Sequence, residues 1–286
     1  MDLKLAAVYV GWPKCGSTWL HRFCEASCHL TVSPAKDINF FDRNFAKGRE
    51  WFYRQFPRKS GATRVIDIGH DYIFSREALQ RVRAFDEDAK LIVFLRHPAD
   101  WIVSEYDYVK STGRISTDIA TFLDEYHYVS QYARFETYLE SVLSIFPREQ
   151  VLIAFQEDLA IDAKSFVRKL CAFLGIENDG LTGFDPAVRV NAGLKPRIPL
   201  AGRIICLSRS VAHSFGLERF YGLVKRSFVR RILFKEAGGR SEIPRDKLEA
   251  LMPQFVRTRQ AVERMAAQTL LHWREKETEL GEKYGS

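Results

Sequence analysis

The 286-residue chain has only five cysteines and three methionines. Cys15, Cys24, Cys28, Cys171 and Cys206 are odd in number and irregularly spaced, which argues against a disulfide framework and for a reducing compartment. Long hydrophobic runs are also missing. The first apolar stretch, "LAAVYV" at 5–10, falls far short of the roughly 20 residues a membrane span needs, and it runs straight into a glycine loop. A soluble cytoplasmic protein without signal peptide or anchor is therefore expected. There is no internal repeat and no low-complexity segment. Cys24 and Cys28, with His21 and His29 nearby, have no second cluster to complete a ligand set, so they are expected to be small core residues and no metal is expected.

What is present is a core-forming composition, 46% hydrophobic, with apolar runs alternating with helical patterns as in a parallel sheet covered on both faces. Strands are predicted in "KLAAVYVG", "TRVIDIG", "KLIVFLR" and "QVLIAFQ". Helices are predicted from Ser17 to about Cys28, Pro98 to about Lys110, Tyr128 to Phe146 and Asp162 to Leu174. Pro98 suits a first helical turn and Gly175 a C-terminal cap. From about Ile198 only helical periodicity is read. The expected fold is α/β, a P-loop-type parallel sheet flanked by helices, forming one domain over 1–286. Its α/β core would cover about 1–197 and a helical C-terminal cover about 198–286.

In "VYVGWPKCGSTWL", residues 8–20, Gly11 and Gly16 have the spacing of a phosphate-binding loop. A kinase-type loop carries a lysine directly after the second glycine, where it reaches the β/γ-phosphates. Here Ser17 fills that slot and the loop's lysine is Lys14. With no G-K-[ST] and no obvious acidic strand end for Mg²⁺, a nucleotide-dependent kinase is the rival reading. A binding scaffold without turnover is the non-enzyme one.

"PKCGSTWL" resembles the 5'-phosphosulfate loop of the sulfotransferases that use 3'-phosphoadenosine 5'-phosphosulfate (PAPS). The resemblance implies that Lys14 contacts the phosphosulfate and stabilises the leaving phosphate. It also implies that Cys15, Gly16, Ser17 and Thr18 form the 5'-phosphate site, with Trp19 near the adenine. "KLIVFLRHPADWIVSEYDYV", residues 90–109, is similar to that family's 3'-phosphate site, which makes Arg96 and Ser104 donor contacts. "SPAKDINFFDRNFAKGREWFYRQFP", residues 33–57, resembles the carbohydrate enzymes of the heparan sulfate type, where an acid before paired phenylalanines serves as general base. Asp37 holds that position, before Phe40 and Phe41. The aromatic residues Phe45, Trp51, Phe52, Tyr53 and Phe56 read as local core or as a sugar platform. The lysine that follows the acid in the corresponding heparan sulfate strand is Ile68 here. In the cytosolic phenol and steroid enzymes this strand ends in a catalytic histidine, close to His70. Asp37 and His70 are thus both candidate bases.

The formal net charge is +7, and Lys195 to Arg240 holds eleven lysines and arginines against two acids, Glu218 and Glu236. "NAGLKPR", 191–197, resembles a loop that closes over the nucleotide in bacterial members, which makes Lys195 and Arg197 further donor contacts. Residues 217–235 read as a basic amphipathic helix, either a solvated face over a core stripe or a peripheral contact to an anionic membrane or glycan. No nucleic-acid motif accompanies the charge. The implied reaction is sulfuryl transfer from PAPS to a hydroxyl of a carbohydrate or glycolipid, leaving adenosine 3',5'-bisphosphate (PAP). A small phenol, an alcohol or a lipid is the alternative acceptor.

Overall fold

The computed structural model describes residues 3–177, 183–188, 194–196, 234–236 and 241–284. Contacts divide the chain into two compact units. One includes Met1–Leu95 and Ser141–Ala192, the other Arg96–Glu140 and Leu233–Ser286.

The first unit is built on five strands, β1 (Lys4–Gly11), β2 (Leu30–Val32), β3 (Arg64–Ile68), β4 (Lys90–Leu95) and β5 (Val151–Phe155). All pair in parallel in the order β2-β3-β1-β4-β5. Apart from their first residues, β3 and β4 are buried throughout, and all of β5 is. β4 and β5 therefore read as continuous apolar runs, and β3 does so but for the buried Asp67, as a sheet covered on both faces requires. The four predicted strands are present, and β2 is a fifth. Its three residues, Leu30–Val32, are too few to carry a periodicity, and pairing with β3 alone makes it a strand.

Helix α1 (Ser17–Ala26) follows β1 and buries Trp19, Leu20, Phe23 and Cys24. A π-helical turn (Phe40–Asn44) leads into the short α2 (Gly48–Arg54), and α3 (Arg76–Phe85) is capped by Ser75, whose hydroxyl accepts from the Ala78 N–H. The aromatic residues of this region form core: Phe40, Phe41, Phe52 and Phe85 meet with ring centroids 4.7–5.7 Å apart.

In the second unit, α4 (Pro98–Ser111) starts at Pro98 and is capped by His97, whose Nδ1 accepts from the Ala99 N–H at 3.2 Å. α5 (Ile119–Glu125) and α6 (Tyr128–Tyr132) follow. The helix expected from Tyr128 to Phe146 is interrupted: α6 ends at Tyr132, and α7 (Phe135–Leu143) starts anew after a turn at Ala133 and Arg134. Back in the first unit, beyond β5, α8 (Gln156–Ile161) leads to α9 (Ala163–Leu174), closed by Gly175 in the left-handed region at φ 64°.

The C-terminal segment is helical in α10 (Arg245–Ala266) and α11 (Leu271–Tyr284). The expectation of helix alone beyond Ile198 needs correction, because Phe234–Glu236 is a strand, β7, paired antiparallel with β6 (Leu194–Pro196). Its three residues, two of them charged, show no strand pattern, and only the pairing with β6 creates one. The apolar stripe proposed for the basic helix, from Leu217 to Ile232, lies outside the described residues. No helix among the described residues is long and apolar enough to cross a membrane.

Candidate active site

Tyr9 of β1 stands in register with Ile68 of β3. The loop leaving β1 and the turn leaving β3 therefore emerge at the same edge of the sheet, the carboxyl edge. In open parallel sheets ligands bind there, beside the strand at which the chain order reverses, and β1 is that strand. Gly11 brings the two segments into contact. A Cβ at this position would stand 2.5 Å from Ile73 Cγ2 and 3.3 Å from the His70 carbonyl oxygen.

The loop itself is pinned from below. Trp12 N–H donates to the Phe94 carbonyl at 3.1 Å, and the Tyr9 hydroxyl donates to the Trp12 carbonyl at 2.6 Å. Lys14 is half-buried in the left-handed region at φ 64°, Cys15 is buried, and Gly16 turns the chain into α1 at φ 117°. That angle favours glycine. α1 starts with no side-chain cap and no acidic residue in its first turn, which leaves the positive end of its dipole to an anion. Ser17 and Thr18 occupy that first turn, half-buried. Trp19 is 4% exposed, its ring lies 5.3–6.4 Å from those of Phe23, Phe94, Phe166 and Phe184, and its indole N–H donates to the Pro186 carbonyl at 3.0 Å. Trp19 thereby anchors the loop in the core.

The two candidate bases are one pair. His70 Nδ1 lies 2.5 Å from Asp37 Oδ1, and His70 Nε2 lies 3.5 Å from Asp71 Oδ1. Burial disfavours the His70 imidazolium, but the Asp37 carboxylate, its hydrogen bond and Asp71 outweigh burial and the Lys36 charge. The His70 pKa is therefore raised above the ordinary histidine value. Asp37 is held in the left-handed region at φ 61°, an uncommon place for a residue with a side chain. Its N–H donates to the Ile68 carbonyl at 3.1 Å. The following residues are fastened as well. Asn44 Nδ2 donates to the Ile38 carbonyl at 2.8 Å, the Phe41 N–H donates to the Tyr72 hydroxyl at 3.4 Å, and that hydroxyl donates to the buried Asp67 carboxylate at 3.1 Å.

Sequence reasoning passed over Lys36. Its Nζ donates to Thr18 Oγ1 at 2.6 Å, which ties the Asp37 segment to the phosphate loop. The one available signal was its place next to the acid.

In the second unit, Arg96 directly follows β4 and is 7% exposed, and its Nε has no hydrogen-bond partner among the described residues. A buried guanidinium nitrogen in that state fits a phosphate group, which accepts such forks in charge-assisted bonds. Ser104 is half-buried on α4. Lys195 lies in β6, where only its backbone pairing with Lys235 is described, and Arg197 lies outside the described residues. Cys24 is buried in α1 and Cys28 is exposed beyond its end. Among the described residues no group of three or more His, Cys, Asp or Glu is arranged to hold a metal.

Comparison with known proteins identifies the family. The chain is similar to heparan sulfate glucosamine 3-O-sulfotransferase 3B1 of Mus musculus, 28% identical over 180 residues that cover 60% of this chain and 46% of that protein. It is also similar to heparan sulfate glucosamine 3-O-sulfotransferase 6 of Homo sapiens, 25% identical over 244 residues, 79% of this chain and 67% of that one. The chain thus spans about half the length of several of the curated relatives it matches. A sulfotransferase structure from Alicyclobacillus acidocaldarius shares the fold, with a TM-score of 0.68 at 19% identity over 95% of this chain and 99% of that one. The model of the sulfotransferase domain matches residues 6–183, which takes in the loop, the Asp37–His70 pair and Arg96, and by that match the chain belongs to the PAPS-dependent sulfotransferase family.

Proposed function

We propose that this protein transfers a sulfuryl group from PAPS to a hydroxyl of a carbohydrate acceptor, with the Asp37–His70 pair taking the acceptor proton. The observation that carries this reading is the 2.5 Å contact between Asp37 and His70, formed where the His70 segment crosses the first glycine of the phosphate loop. Bound at that loop, PAPS supplies an activated sulfuryl group on a phosphate leaving group. The acceptor oxygen forms the new bond to sulfur, the bond from sulfur to the bridging phosphate oxygen breaks with its electron pair left on the phosphate, and the acceptor proton passes to His70. Lys14 and the N-terminus of α1 act on the charge that grows on the leaving phosphate, where fixed donors are most effective. Asp37 holds the imidazole by Nδ1, which leaves Nε2 to accept the proton, as an orienting carboxylate does in hydrolytic triads. Arg96 and Ser104 take the 3'-phosphate.

A carbohydrate acceptor is supported by the names of the relatives, which act on glucosamine of heparan sulfate. A glycolipid offers the same hydroxyl chemistry. A kinase reading has less support, because Ser17 occupies the position of the phosphate-reaching lysine. Two measurements test the proposal. PAP is expected to raise the melting temperature and ATP with Mg²⁺ to leave it unchanged, and Arg96→Ala is expected to weaken PAP binding by about tenfold or more, the range of one charge-assisted contact. Radiolabelled PAPS is then offered with a panel of glycans, lipids and phenols. Stabilisation by ATP alone, or label passed only to phenols, would overturn the corresponding part of the reading.

A further inference from the structure

Lys36 stands between the two halves of the chemistry just described. Its Nζ is 2.6 Å from Thr18 Oγ1, in the first turn of α1, where the donor's phosphate is proposed to lie. Its chain neighbour, Asp37, is in contact with His70, and the Lys36 charge is felt at the His70 ring. In the donor reading, the group passes from the loop that holds Thr18 to an acceptor oxygen beside His70, the two places that Lys36 and its neighbour Asp37 touch. Lys14 stands on the loop itself, so it is placed for the leaving phosphate, whereas Lys36 approaches from the segment that carries the base.

We infer that Lys36 is a second cation of the donor site and that its ammonium binds the sulfuryl end of PAPS. The inference rests on the donor reading above. An ammonium offers three donors, so one can stay on Thr18 while others meet sulfuryl oxygens. The same contact therefore orders the loop hydroxyl and holds the transferring group against the base, so loss of the ammonium acts on PAPS and on turnover more than on PAP.

PAP lacks the sulfuryl group, and this separates a sulfuryl contact from a structural tether. Calorimetry with PAP and with PAPS, without acceptor, compares the unaltered protein with Lys36→Met, Lys36→Gln and Lys36→Arg. In the Met and Gln variants PAPS affinity is expected to fall by about tenfold or more while PAP affinity changes by less than about threefold, the difference being one charge-assisted contact. Turnover is expected to drop by about 10² with the acceptor KM little changed. Lys36→Arg is expected to recover part of both. Retained PAP binding shows that the variants are folded. Equal losses for PAP and PAPS would mean that Lys36 only steadies Thr18, and unaltered affinity for both would mean that it touches neither; each overturns the inference. Failure of the unaltered protein to bind PAP is a separate result, and it would remove the donor reading itself.

Discussion

His70 and Asp37 are 33 residues apart in sequence and meet in one side-chain contact, His70 being the proposed base and Asp37 the carboxylate that orients it. The raised pKa of His70 sets two opposite pH dependences. The ion pair with Asp37 stabilises the fold fully below the unfolded histidine value of about 6.5, and this contribution is lost as pH rises through the higher native pKa. Activity runs the other way, because the base works only when deprotonated. The acid limb of the rate profile is therefore expected above the ordinary imidazole range, facing the charges of Asp37, Asp71 and Lys36. Asp37→Asn removes the main charge that raises the pKa and leaves burial to lower it, so the limb is expected to move to lower pH while turnover falls by about 10² from loss of orientation. His70→Ala is expected to abolish the limb. The kcat profiles of the two variants check this. A limb that stays in place in His70→Ala would make Asp37 the base.

At the scale of elements, β3 and the turn after it hold the strained Asp37 segment through Asp67 and Tyr72. Burial pushes the Asp67 carboxyl up to about 7, against the pull of the Tyr72 hydrogen bond and with a further push from Asp37. In the unfolded chain the same carboxyl ionises near 3.9. Between about pH 4 and 7 the native state thus holds more protons than the unfolded one, and stability falls as pH rises. Asp67→Asn keeps an acceptor for Tyr72 without the ionisation. It is expected to leave the melting temperature nearly unchanged at pH 4 and to raise it by about 3–6 °C at pH 8. Equal shifts at both pH values, read from melting curves, would mean that Asp67 is not the group being titrated.

For the whole molecule, the net charge of +7 contrasts with the two carboxylates that face the His70 end of the site. Asp37 and Asp71 face His70, and Asp42, whose pKa is raised by burial, feels Asp71 as well. In the proposed arrangement Asp37 and Asp71, beside His70, repel a polyanionic chain at its acceptor end. Neutral glycans are therefore expected to have a higher kcat/KM than sulfated ones, and Asp71→Asn, which removes an exposed carboxylate, is expected to narrow the gap. Competition between a neutral and a sulfated oligosaccharide measures it. A preference for the sulfated chain that Asp71→Asn leaves unaltered would refute the expectation.

The sheet could be read from the chain because its causes are local: four apolar runs ended by turn residues, Pro98 at a first turn, and Gly16 and Gly175 where φ is positive. The phosphate loop was legible for the same reason, since its glycines, lysine and hydroxyls lie within a few residues. Asp37 and His70 could each be picked out as a base, but not joined, because their contact depends on β3 lying beside β1 and on the backbone of Asp37 being held at φ 61° by distant partners. Lys36 and Asp67 gain their roles the same way, through Thr18 and Tyr72. So do β2 and β7, three-residue strands that exist only because a neighbour supplies their hydrogen bonds. Periodicity and turn chemistry are written along the chain, whereas side-chain pairing and strand pairing arise between segments that only the folded sheet brings together.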